Sequence, residues 1–173
     1  LMEDAILVGI SWQKDGNKAL IKEKGEYVSR YSDYSFKKSS KPDFQAKYNF
    51  GNAKQHLRFI REDVFRYVEN NYRTNAKERT YFGFSLGGLF GTYILLTQPD
   101  SFKNYILGSP SIWEDGEFLL SNVGKLLNSK KAPARVLITY GEKEKELSVH
   151  LEKFISQLKS KNYPGVSFIE RSI

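Results

Sequence analysis

Apolar residues along the chain follow two alternating rhythms. Residues 5–11 (AILVGIS) form a continuous apolar run of strand length, the pattern of a parallel strand covered on both faces. Between 52 and 72, Leu57, Ile60, Val64, Tyr67 and Val68 recur at steps of three and four, which predicts an amphipathic helix. Residues 79–84 (RTYFGF) are rich in aromatic and β-branched side chains and read as a strand. Residues 86–98 (LGGLFGTYILLTQ) are apolar nearly all round and predict a buried helix stopped by Pro99. Further strands are predicted at 104–108 (NYILG), 134–140 (ARVLITY) and 166–171 (VSFIER). Two more helices are marked by Phe118, Leu119, Val123, Leu126 and Leu127, and by Leu147, Leu151, Phe154, Ile155 and Leu158. Tyr163-Pro164-Gly165 ends the second of these.

The order β-α-β-α-β-α-β-α-β predicts an α/β fold, a doubly wound and mostly parallel sheet with helices on both faces. One stretch departs from these rhythms. Residues 12–50 are polar, aromatic and punctuated by Gly16, Gly25 and Pro42, and they read as a long functional loop or lid.

The junction of the 79–84 strand with the 86–98 helix carries Gly83-Phe84-Ser85-Leu86-Gly87, a G-x-S-x-G sequence between a strand and a helix. A serine hydroxyl is a weak nucleophile, so an enzyme that uses one exposes it on a sharp turn and supplies a base. Glycines two residues before and after the serine are expected to clear room for that turn. The helix start also points its first amides at the serine, which makes the Leu86 N–H a candidate oxyanion donor. The alternative is a tight strand-to-helix packing corner with no chemistry.

Composition narrows the field further. A chain of 173 residues with 40% apolar content suits one domain. No apolar run approaches the ~20 residues of a membrane-spanning helix, so no membrane partner is expected. Without cysteine there is no thiolate nucleophile and no cysteine metal site. The net charge of +7 comes from scattered lysines, with small clusters at Lys37-Lys38, Lys41 and Lys130-Lys131. No strip of interleaved basic and aromatic residues forms a nucleic-acid module. A solvated basic surface that steers anionic substrates accounts for the charge.

Working residues of a doubly wound sheet sit at the carboxyl ends of strands. The strand at 134–140 runs into Gly141-Glu142-Lys143-Glu144-Lys145-Glu146. A serine–histidine pair needs a carboxylate to orient the imidazole, and one placed after a later strand satisfies the order serine, then acid. Glu144 is the first candidate and Glu142 the second; the alternative is a charged turn at a helix start. A histidine should follow the next strand, yet the chain holds only His56, upstream of the serine, and His150, inside the helix after the acid loop. Both read as surface histidines, so the general base is expected to lie outside this chain.

Several segments together resemble one family. They are Val8-Gly9-Ile10 through Arg30-Tyr31-Ser32-Asp33-Tyr34, the run GFSLGGLFGTYILLTQPDSF at 83–102, and Ser109-Pro110-Ser111-Ile112-Trp113. They are similar to the putative esterase family of α/β-hydrolases, which includes siderophore esterases of the enterobactin type, esterase D-like enzymes and feruloyl esterases. In that family a glycine after the late strand precedes the acid by three residues, which maps onto Gly141 and Glu144. Members carry earlier strands, with a loop that supplies a second oxyanion donor, and a later histidine loop and closing helix. The resemblance implies that residues 1–173 are the central part of one α/β-hydrolase-like domain, with little activity in isolation. It also implies a small-molecule ester substrate, no metal and no organic cofactor. Ser109, Ser111 and Trp113 would then line the acyl or alcohol pocket, the alternative being a capped helix start. Arg30 and Asp33 would order the long loop or form a structural ion pair. A non-catalytic binding domain and an acyltransferase on the same scaffold are the competing functions.

Overall fold

The computed structural model describes residues 4–11, 18–112, 118, 119, 121, 133–160 and 165–172. Four parallel strands form its sheet in the order β1 (Thr80–Phe84), β2 (Asn104–Gly108), β3 (Ala134–Tyr140) and β4 (Val166–Ser172). Between β1 and β2 runs α6 (Leu86–Thr97), and between β3 and β4 runs α7 (Lys145–Ser160). Phe118 and Leu119, between β2 and β3, are helical as expected; Val123, Leu126, Leu127 and Trp113 lie outside the described residues. The parallel α/β class expected from the element order is the class observed.

Strand alternation sorts side chains onto two faces of the sheet. Tyr105, Leu107, Val136 and Ile138 point to one face and are at most 2% exposed. Leu151, Phe154, Ile155 and Leu158 of α7 cover them, together with Leu89, Phe90, Ile94 and Leu95 of α6. The helix spacing of i, i+3, i+4 and i+7 on α7 is what one apolar stripe requires. On the opposite face, Phe82, Ile106, Leu137 and Ile169 lie in one row across the four strands. Phe82 is 71% and Ile169 56% exposed there. The expectation of helices on both faces meets a single core among the described residues, on the α6 and α7 side.

Three local expectations are corrected. Residues 4–11 are not a strand: they do not join the sheet, Leu7 is almost fully exposed, and Ile10 packs against the core. An apolar run supplies burial only where a ladder partner receives it, and among the described residues these have none. The helix expected at 52–72 is observed as α4 (Ala53–Phe59), a π turn (Ile60–Val64) and α5 (Phe65–Asn71). The Phe65 N–H closes the π turn on the Ile60 carbonyl, and this extra residue rotates the downstream face. Phe65 therefore packs edge-on against Phe102 at 5.4 Å, while Tyr67, expected inward, stands exposed.

The long stretch read as a loop contains α1 (Lys18–Lys24), α2 (Ser29–Asp33) and α3 (Pro42–Tyr48). Each has at most seven residues, too short for a helical period to emerge. Ring stacking docks this stretch on α6: Tyr34 lies on Phe90 at 5.3 Å and Phe36 on Tyr93 at 5.3 Å. The stretch consequently rests on the helix whose first residue follows Ser85.

Candidate active site

Ser85 sits between β1 and α6 with φ 55 and ψ −116, a backbone conformation that a side chain adopts only under constraint. Its neighbours supply the constraint. A Cβ at position 83 would lie 2.4 Å from the Gly87 carbonyl oxygen, and one at position 88 would lie 2.9 Å from Pro110 Cα. Gly87 is different, because a Cβ there would meet nothing closer than the Tyr81 hydroxyl at 4.0 Å. Of the two glycines flanking the serine, the first is sterically required and the second has room.

Tyr81 is a contributor that the sequence pattern gave no reason to single out. Its hydroxyl donates to the Gly87 carbonyl at 2.6 Å, and burial pushes the phenol pKa well up, keeping it a donor. It clamps the first turn of α6 from beneath. Nothing in a strand-forming tyrosine marks it for this task, since the contact exists only once the strand turns back on itself.

The Ser85 hydroxyl is half-buried and lies 3.1 Å from the Ser111 hydroxyl. The Ser85 N–H donates to the Gly108 carbonyl at 2.9 Å, and the Ser111 N–H donates to the Ser85 carbonyl at 3.2 Å. The Leu86 N–H is among the first amides of α6, which have no carbonyl one turn back. It is therefore free to bind an anion, and the helix dipole favours that.

Glu144 follows β3 on the turn closed by its own N–H on the Gly141 carbonyl at 3.0 Å. Its carboxylate Oε2 accepts from the Gly141 N–H at 3.0 Å and from the Ser109 hydroxyl at 2.8 Å. Ser109 and Ser111 are both buried, so one serine of the Ser109-Pro110-Ser111 segment reaches the acid loop and the other reaches Ser85. Glu142 is exposed on the same turn and makes no hydrogen bond among the described residues. Trp113, the third residue expected to line the site, is outside the described residues.

The two histidines stand apart from this cluster. His56 packs against the Tyr34, Phe59 and Phe90 rings, and burial lowers its pKa below the ordinary imidazole value. It lines a cavity of about 350 Å³ with Ser32, Asp33, Asn49, Asn52, Gln55 and Phe59, none of which belongs to the Ser85 cluster. It is thus more enclosed than a surface histidine. His150 is exposed on α7, as expected. Among the described residues neither is hydrogen-bonded to Ser85 or Glu144. Arg30 lies over the Tyr27 ring at 4.9 Å, and Asp33 is buried at the end of α2. Among the described residues no group of His, Asp or Glu is arranged to hold a metal ion.

A family model described as "Putative esterase" matches residues 18–163. The ferri-bacillibactin esterase BesA of Bacillus subtilis is 36% identical over 124 residues, covering 67% of this chain and 43% of that protein. The siderophore enterobactin esterase of Emericella nidulans is 36% identical over 80 residues, covering 45% of this chain and 26% of that protein. Among solved structures, the BES protein from Bacillus cereus superposes with a TM-score of 0.73 at 29% identity, over 83% of this chain and 57% of that one. The chain thus spans less than half the length of these curated relatives.

Proposed function

The chain belongs to the Putative esterase family, and on that premise we propose that the whole protein is a serine hydrolase of carboxylic esters working through an acyl-enzyme on Ser85. The observation that carries the proposal is the Ser85 corner: a hydroxyl on a left-handed turn, at the carboxyl end of a parallel strand and the amino end of a helix. A hydroxyl held there attacks an ester carbonyl as a base removes its proton. The negative charge that develops on the carbonyl oxygen falls to the Leu86 N–H and a second donor. Collapse expels the alcohol, which takes the proton back from the base, and water then repeats the sequence to free the acid. The chemistry draws on no bound cofactor.

In this reading Glu144 is the triad acid and Glu142 a bystander. Glu144 has two donors fixing its carboxylate, whereas Glu142 has none among the described residues. We place the histidine base, and the second oxyanion donor, in parts of the whole protein outside this chain; the shorter span relative to the curated relatives supports that placement. For substrate we propose a siderophore ester, the class named for the Emericella nidulans relative, and the net charge of +7 favours an anionic one.

The test is a fluorophosphonate probe on the whole folded protein, with the adduct mapped by peptide mass spectrometry. Labelling at Ser85, abolished in Ser85→Ala, is the expected result. A folded protein labelled at another residue overturns the Ser85 assignment, and one not labelled at all leaves a hydrolase-fold binding domain in its place.

A further inference from the structure

Glu144 is held twice through the same oxygen, by one near donor and one distant one. The Gly141 N–H is three residues away and belongs to the same turn. The Ser109 hydroxyl comes from 35 residues earlier and joins the corner after β2 to the loop after β3. To make this bond Ser109 adopts φ 38, a left-handed angle that L side chains rarely take. A glycine would take that angle freely, so the hydroxyl is what a serine adds at this corner. Its base is fixed as well: the Ser109 N–H donates to the Thr139 carbonyl at 2.7 Å, and the residue is 8% exposed. With two donors on Oε2, Oε1 is the oxygen that among the described residues stays open for an imidazole N–H.

We infer that Ser109 is a positioning residue: its buried hydroxyl, delivered by a left-handed turn, sets the Glu144 carboxylate so that Oε1 receives the base serving Ser85. The inference rests on the proposed function and adds a residue to it. Ser109 touches no reacting atom. It acts by keeping the carboxylate from rotating, and a rotated carboxylate no longer selects the productive imidazole tautomer. Pro110 follows directly, and Ser111 then returns to Ser85 through its N–H and its hydroxyl. One three-residue strap thereby ties the acid to the nucleophile.

The experiment uses the whole protein with Ser109→Gly, Glu144→Gln and the double variant. Ser109→Gly suits the left-handed backbone angle and removes the hydroxymethyl group. It is expected to lower kcat by about 10- to 100-fold, the size of a lost hydrogen bond to a charged group, with KM within about twofold. Its melting temperature should shift by only a few degrees, because relief of the left-handed angle offsets part of the lost bond, and Ser109→Ala should show the same kcat loss. In the Glu144→Gln background, adding Ser109→Gly should change the rate of fluorophosphonate labelling at Ser85 by less than about twofold, because a residue that acts by orienting a carboxylate is silent once no carboxylate remains to be oriented.

Wild-type kcat in Ser109→Gly overturns the inference, and so does an equal loss of labelling rate at Ser85 when Ser109→Gly is added to the wild type and to Glu144→Gln. A raised KM with unchanged kcat would instead make Ser109 a substrate contact and likewise overturn it. Failure of the underlying reading is distinguishable. Wild-type kcat in Glu144→Gln removes Glu144 from the triad and the role of Ser109 with it, whereas a crippled Glu144→Gln beside an unaffected Ser109→Gly overturns Ser109 alone.

Discussion

Ser85 and Ser109 each follow the last residue of a strand, and those last residues, Phe84 and Gly108, face one another in the β1–β2 register. Both serines take left-handed φ values, 55 and 38. Both also donate their N–H to the carbonyl of a neighbouring strand residue, Ser85 to Gly108 and Ser109 to Thr139, and the corners differ in what else holds them. At Ser85, main chain meets main chain: position 83 closes on the Gly87 carbonyl and position 88 on the Pro110 backbone. At the second corner, a Cβ on Gly108 would meet a ring carbon of Phe84 at 2.8 Å, a side chain that can move aside. What holds Ser109 beyond its N–H is the bond from its hydroxyl to the Glu144 carboxylate. On the proposed function, steric enforcement suits a hydroxyl that must stay half open to substrate. Hydrogen-bonded enforcement suits a hydroxyl whose task is to hold another group.

The largest effect that tests this contrast falls on the acid. In the whole protein Glu144→Gln should lower kcat by about 10⁴-fold, the size seen when a triad carboxylate becomes an amide. Glu142→Gln, on the same turn but outside the Ser109 and Gly141 bonds that hold Glu144, should change it by less than about threefold. Steady-state kinetics on the two variants decides between them, and reversed values would move the acid to Glu142. Next comes the steric corner. Gly83→Ala should cost about 3 kcal/mol or more in urea unfolding, because a Cβ cannot sit 2.4 Å from a carbonyl oxygen without displacing the α6 start. A loss below about 1 kcal/mol would mean that the corner relaxes, and the distinction between the two serines would weaken.

How much of this was legible depends on the distance over which each feature is decided. β1, β2, β3 and β4 match the expected spans within a residue, since their alternation and apolar content are local. The Ser85 corner was legible because five consecutive residues encode it. Residues 5–11 carried the same apolar signal as the strands, but a strand exists only where a partner ladder accepts it, and sequence does not display the partner. The π turn at Ile60–Val64 was hidden because a single extra residue leaves an amphipathic pattern readable while turning Phe65 inward and Tyr67 outward. The Ser109–Glu144 bond was invisible for a further reason. It joins two loops through an angle that nothing in the letters Ser-Pro-Ser announces.

Gly87 offers the smallest and sharpest test of which contacts make the corner steric. A motif written G-x-S-x-G gives both glycines equal weight, whereas the structure leaves Gly87 open, with the Tyr81 hydroxyl as the nearest atom to an added Cβ at 4.0 Å. Gly87 lies in the first turn of α6 and is not among the glycines with positive φ. An alanine there keeps the backbone angle, leaves the Gly87 carbonyl available to Tyr81, and restricts the unfolded chain. Gly87→Ala should therefore stabilise the fold by about 0.5–1 kcal/mol, the helix-propensity difference between the two residues, read as a higher urea midpoint with an unchanged slope. A lower midpoint would show that the second glycine is crowded after all. The tightness of the Ser85 corner would then extend through Gly87 rather than resting on Gly83 and Gly88.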